Sequence, residues 1–173
     1  MIPSISSPKI AFAGADHDHR RCVAAALAAA TELCARRGVR LTELRRRVLE
    51  LVWRSHAPQG AYAILETLRR RGRRAAPPTV YRALEFLLAQ GLIHRIESAS
   101  AFVGCTTPGR PHAGHFLICS DCGATAEVDD SRVGSALRDS AAEVGFRVER
   151  QTIELSGYCP DCQDESLDGE PSD

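Results

Sequence analysis

A chain of 173 residues is long enough for one domain or two small ones, and it shows neither a long apolar span nor a secretory leader pattern. A membrane protein is therefore not expected, and the default setting is a reducing cytoplasm in which disulfides do not persist. The formal net charge of zero hides a division: residues 1–100 hold 17 Lys and Arg against 8 Asp and Glu, residues 101–173 hold 5 against 14, so the two parts carry +9 and −9.

In chain order, residues 1–19 mix Pro, Ser, Gly and Ala without periodicity and read as a disordered tail. Residues 20–37 are alanine-rich, with Val23, Leu27, Ala30 and Cys34 at helical spacing and Gly38 as a stop. Thr42 caps a second helix over 43–54, with Leu44, Val48, Leu51 and Val52 on its apolar stripe. After Pro58, Gln59 and Gly60, a third helix carries Ile64, Leu65 and Leu68 to Gly72. Pro77 and Pro78 start a fourth, with Val80, Leu84, Leu87 and Leu88 apolar and Gly91 at its end.

Residues 92–97 and 101–105 read as a hairpin around Ser98, Ala99 and Ser100. Helices followed by a hairpin is the order of a winged helix-turn-helix, here spanning residues 20–105. Residues 106–114, with two prolines and two glycines, read as a hinge. Beyond it, strands are expected at 116–118, 124–128 and 146–155 and a helix at 131–144, within a small α/β unit over 115–163. Residues 164–173 read as an acidic disordered tail. The fold class is α+β.

Cys119-Ser120-Asp121-Cys122 and Cys159-Pro160-Asp161-Cys162 each place two thiols on one knuckle. Together they supply the four thiolates of a closed, tetrahedral Zn²⁺ site that would clasp two distant segments. A redox dithiol needs only one such pair, and a pair of disulfides needs an oxidising compartment.

In the basic part, Thr79 and Arg82 lie near the start of the fourth helix and off its apolar stripe, where a recognition helix presents side chains to base edges. An arginine there can make a bidentate contact to guanine. Tyr81 and Tyr62 are placed to stack or to reach a phosphate. Arg45, Arg46, Arg47, Arg69, Arg70, Arg71, Arg73 and Arg74 add charge for phosphate anchoring. Around the hinge, His94, Cys105, His112, His115 and Glu127 form a second group of ligand-type residues. A metal held from both sides of the hinge would fix the angle between the two parts. The thiolate favours Zn²⁺ over the hard-ligand metals.

Several stretches carry a family likeness. They include Val39-Arg40-Leu41-Thr42 into Arg45, Gly60-Ala61-Tyr62, the run from Pro77 through Leu84, Phe86-Leu87-Leu88, Gly91-Leu92-Ile93-His94, Phe116-Leu117-Ile118-Cys119 and both cysteine pairs. They resemble the ferric uptake regulator superfamily, most closely its zinc-sensing branch, the zinc uptake regulators. The resemblance implies a winged-helix DNA-binding domain, a hinge and an α/β domain that forms a homodimer. It also implies repression of zinc-uptake genes by zinc-loaded dimers on AT-rich palindromic operators of double-stranded DNA.

On the same resemblance, Cys119, Cys122, Cys159 and Cys162 match the structural zinc site, and His94, Cys105, His112 and Glu127 the regulatory zinc site. Tyr62 and Arg82 match DNA-contacting residues. The His-His-Asp-His run of iron sensors is replaced by His112-Ala113-Gly114-His115, which argues against an iron or peroxide sensor and leaves His115 read as a surface residue. No motif of a zinc hydrolase is present, so neither an enzyme nor a small-molecule substrate is expected.

Overall fold

The structure, a computed structural model, describes residues 12, 18–72, 75–110, 112, 114–128 and 130–166, with side chains described as far as residue 163. Most of both expected tails, and Arg73 and Arg74, lie outside the described residues.

The N-terminal part is helical. Helix α1 (His19–Arg36) starts where the Asp18 side chain accepts the Arg20 N–H, and α2 (Glu43–Val52) starts under Thr42. Each cap satisfies a backbone donor that the first turn leaves open. A two-residue strand, β1 (Gln59–Gly60), precedes α3 (Ala61–Arg70), and α4 (Pro77–Ala89) opens on proline. Gly38 and Gly91 follow α1 and α4 with φ of +65° and +64°, the left-handed conformation that ends a helix at least cost in glycine.

The apolar faces meet in one core around Leu33, Val48, Leu49, Val52, Ile64, Leu68, Val80, Leu84 and Leu87. Each such side chain contributes about 1.5–3 kcal/mol by leaving water. Burial of these stripes is what turns α4 so that its opposite face is exposed.

The hairpin β2 (Ile93–Ile96) and β3 (Ala101–Gly104) is antiparallel, with His94 opposite Val103. Strand β1 adds to it, Gly60 opposite Ala101, a pairing too short to read from the sequence. That bond pattern anchors the start of α3 beside the wing.

The C-terminal part is a three-stranded sheet in the order β5-β4-β6. Strand β4 (Gly114–Cys119) runs antiparallel to β5 (Thr125–Glu127) and parallel to β6 (Thr152–Gly157), helix α5 (Ser131–Glu143) lying between β5 and β6 in the chain. Parallel neighbours need such a crossover. The expected strand over 146–155 is shifted: residues 146–151 alternate as a strand would, but β4 begins opposite Thr152 and offers them nothing to pair with. A short helix not anticipated from sequence, α6 (Pro160–Ser166), carries Cys162.

The two parts meet through a small apolar cluster, Ile96 and Val103 from the wing with Phe116 from β4. Gly104, at the end of β3, lies against Trp53, and a Cβ added there would overlap the indole ring. Gly104→Ala should therefore destabilise the chain by about 1–3 kcal/mol and shift the emission of its only tryptophan. An unchanged melting temperature and spectrum would show that the indole does not fill this space.

Candidate metal centres and nucleic-acid interface

Four side chains converge at the junction of the two parts. His94 comes from β2, Cys105 directly follows β3, His112 lies in the connecting loop and Glu127 ends β5. Their donor atoms all lie within 4.8 Å of one another. Glu127 Oε1 is 2.8 Å from His94 Nε2 and 2.7 Å from His112 Nε2, the two imidazole nitrogens are 3.0 Å apart, and Cys105 Sγ is 3.5 Å from His112 Nε2. A tetrahedral zinc with bonds of about 2.0–2.3 Å spaces its donors by roughly 3.3–3.8 Å, so a small outward adjustment accepts the ion.

The surrounding groups aim these donors. The Nδ1–H of His112 donates to the Arg110 carbonyl at 2.8 Å, which leaves Nε2 with its lone pair toward the cluster. Thr106 donates to Glu127 Oε2 from its N–H at 3.0 Å and its hydroxyl at 2.6 Å, so Oε1 alone faces the imidazoles. Thr106 had no sequence signal: a threonine after a cysteine is unremarkable until the fold places Glu127 against it. Burial alone would raise the Glu127 carboxyl, but the hydrogen bond and charge of His94, with the two hydrogen bonds from Thr106, hold it at about 2. Burial, aided by the Glu127 charge, pushes the Cys105 thiol up to about 12.

His115 does not join this set, and the expectation that it sits on the surface is wrong. It is 5% exposed, and both ring nitrogens are buried without a hydrogen-bond partner among the described residues. Strand β4 is covered on both faces: Phe116 points to the wing cluster, while His115 points toward α5, where a Cβ on Gly134 would stand 3.5 Å from its Cε1. An isolated sequence gives no sign that α5 packs there.

Cys119, Cys122, Cys159 and Cys162 form the second group, brought together because β4 and β6 end side by side. Cys122 Sγ is 3.7 Å from Cys159 Sγ, close to the edge of a four-sulfur tetrahedron, roughly 3.8 Å. The Cys159 N–H donates to Cys119 Sγ at 3.4 Å and is the main cause that brings that thiol down to about 6. Phe12 and Ala124 pack over the sulfurs, and the Thr125 N–H donates to the His56 carbonyl, which ties the knuckle to the N-terminal part.

Thr79, Tyr81 and Arg82 are exposed on the first turns of α4, and Tyr62 is 74% exposed at the start of α3. The four residues singled out as DNA readers thus stand at the N-terminal ends of two consecutive helices. The arginine block is less free than its sequence suggests. Arg47 bonds Glu43 and Glu50, Arg54 bonds Glu50, and Arg70 bonds Glu66. Arg45 lies over the Phe86 ring and donates to the Arg40 carbonyl, and Arg69 donates to the Ala75 carbonyl.

Comparison with known proteins matches residues 36–156 to the sequence model of the ferric uptake regulator family. The zinc uptake regulation protein of Escherichia coli K12 is 41% identical over 137 residues, 79% of this chain and 80% of that one. Its namesake from Mycobacterium tuberculosis H37Rv is 33% identical over 129 residues, 73% and 96% of the two chains. Among solved structures, a zinc uptake regulator complexed with zinc and DNA superposes with a TM-score of 0.79 at 38% identity, covering 84% of this chain and 97% of that one. Holo XcZur gives 0.74 at 41% identity over 80% and 96%.

Were Zn²⁺ taken up at the junction through Cys105, it would have to displace the proton of a thiol held at about 12. Raising the pH should then tighten binding by about tenfold per unit between about pH 6 and pH 8. Chelator competition across that range measures it, and an affinity independent of pH would remove Cys105 from the donor set.

Proposed function

Since the chain belongs to the ferric uptake regulator family, we infer that it is a zinc-responsive, DNA-binding transcriptional repressor and not an enzyme. Zinc is the corepressor, double-stranded operator DNA the target and a homodimer the acting form. The convergence of His94, Cys105, His112 and Glu127 from both sides of the loop between wing and sheet carries this reading.

These four residues would hold the regulatory zinc, and Cys119, Cys122, Cys159 and Cys162 the structural one. Both sets offer four protein donors, which suits a closed site rather than a catalytic site with an open position. Cys105 is the residue that favours zinc over iron, because a thiolate is the softer donor. Bound zinc supplies a cation that satisfies the buried Glu127 charge and links wing, loop and sheet. The chain's own residues do the rest. His94 and Cys105 fix the wing, Glu127 fixes the sheet, and together they set the angle at which α3 and α4 are presented. Only an ion that binds this arrangement more tightly than the alternatives shifts the population toward it.

On DNA, the exposed first turns of α4 enter the major groove, where Arg82 reads a guanine edge and Thr79 a neighbouring base. Tyr62 and Tyr81 contact the backbone. The second subunit is accommodated by the C-terminal part. Strand β6 is an open sheet edge, and Val133, Leu137, Val144, Phe146, Leu155 and Tyr158 are exposed. Residues 146–151, which pair with no strand among the described residues, lead into that edge strand. An edge with this apolar surface calls for a partner, and a second copy supplies a symmetric one, which matches a palindromic operator. Zinc-uptake genes are the regulated set that fits, and the cytoplasm the compartment: DNA is there and thiolates stay reduced. Among the described residues no helix is long and apolar enough to cross a membrane.

Fluorescence anisotropy with a palindromic operator tests the assignment. Cys105→Ser combined with His112→Ala should abolish the zinc-dependent component while the four-cysteine site keeps its zinc. Zinc-dependent binding that survived both changes would show that the sensor lies elsewhere. Arg82→Ala should weaken operator binding by about 1–3 kcal/mol and relax the base preference at one position per half-site, whereas a uniform loss across sequences would make Arg82 a phosphate contact.

A further inference from the structure

The hairpin β2–β3 is held to the C-terminal sheet by a second device that uses no metal donor. Glu154, on β6 directly opposite Phe116 of β4, reaches across to the tip of the hairpin. Its Oε1 accepts the Glu97 N–H at 2.6 Å and its Oε2 accepts the Ser98 N–H at 3.1 Å. Two successive backbone N–H groups closing on one carboxylate form a fitted anion site, and the bonds are charge-assisted.

Around it, the Arg150 guanidinium donates to Glu97 Oε1 at 2.9 Å, and Arg95 pairs with Glu97 Oε2 at 3.0 Å. Beneath it lies the apolar contact of Ile96 and Val103 with Phe116. The turn that receives Glu154 is itself constrained, with Ser100 at φ +46°, the only positive φ outside glycine among the described residues. A wing tip whose Glu97 already engages Arg95 and Arg150, and whose two backbone amides are already taken by Glu154, has little free positive charge or N–H donor left for a phosphate backbone and is placed to be a domain contact.

We propose that Glu154 is a positioning residue, a metal-independent latch that holds the wing in the orientation the regulatory zinc requires. The inference rests on the zinc-responsive reading above and adds to it. The latch and the ion act on the same arrangement, so each tightens the other, by linkage, to the same degree. Part of the ordering that zinc would otherwise have to impose is already done by two backbone amides and a carboxylate. The zinc concentration at which the operator is occupied is then set partly by a residue that touches neither zinc nor DNA.

The test uses the full-length homodimer with its four-cysteine zinc in place. Operator binding is titrated against free zinc, buffered by a chelator, for wild type, Glu154→Ala and the near-isosteric Glu154→Gln. The latch requires the zinc midpoint to rise roughly fivefold or more in both variants. Operator affinity at saturating zinc should stay within about twofold of wild type, which a merely unfolded or damaged domain would not allow. A readout without regulatory zinc accompanies it: hydrogen exchange at the Glu97 and Ser98 amides, slow in wild type and fast in both variants. Unchanged midpoints in a responsive wild type, or fast exchange at those amides in wild type, would overturn the latch alone. A wild type whose operator binding ignored zinc would overturn the zinc-responsive reading and the latch with it.

Discussion

Glu127 brings a carboxylate to the junction of the two parts, where its side chain is almost wholly out of water, and receives two imidazoles on one oxygen and Thr106 on the other. A buried anion is tolerated only when paired and fully bonded. Thr106 meets half of that demand permanently, because it follows Cys105 in the same loop. The other half is met by His94 from the wing and His112 from the connecting loop. One buried carboxylate of the sheet is thus satisfied by groups of the wing and the loop, and under the proposed function a zinc ion at the same donors would make the preferred angle between wing and sheet depend on what neutralises it.

Strand β4 gives that carboxylate its frame. It pairs with β5, which carries Glu127, and with β6, which carries Glu154, and it ends in the first cysteine knuckle. Its two faces differ: Phe116 joins the wing cluster, with its ring 5.3 Å from that of His94, and His115 turns toward α5. One strand of alternating direction thus aligns the apolar contact, the junction donors and the four-sulfur clasp. A shift of register by one residue would break all three.

Much of this was legible in the sequence, for physical reasons that can be named. The helices of the N-terminal part bury one stripe each, so periodicity located them from His19 to Ala89 within a few residues. The two cysteine pairs were legible because their chemistry is rare and their spacing restrictive, whereas the junction residues were legible only as a group of five, from which the family resemblance and not the spacing set His115 apart. Strand β1 was not, since two residues carry no periodicity, and β6 was misplaced because alternation does not reveal where a neighbouring strand starts. His115 misled for a related reason: burial against α5 depends on a contact distant in sequence. The roles of Thr106 and Glu154 were equally hidden, because their partners are chosen by the fold and not by local pattern.

The arginine-rich helices have a consequence for how the molecule searches a genome. Every phosphate neutralised by a protein cation releases counterions, and affinity falls with salt by a logarithmic slope of about −0.9 per contact. Here Glu50 alone engages Arg47 and Arg54 and lies within reach of Arg71, while Glu66 holds Arg70. Cations already balanced by the chain's own carboxylates release few counterions when DNA arrives. Bulk chromosomal DNA, which offers only its backbone, would therefore gain less from these paired arginines than their number suggests, and the share of binding free energy that depends on base sequence would be correspondingly larger. The internal ion pairs of α2 and α3 would thereby temper indiscriminate adhesion.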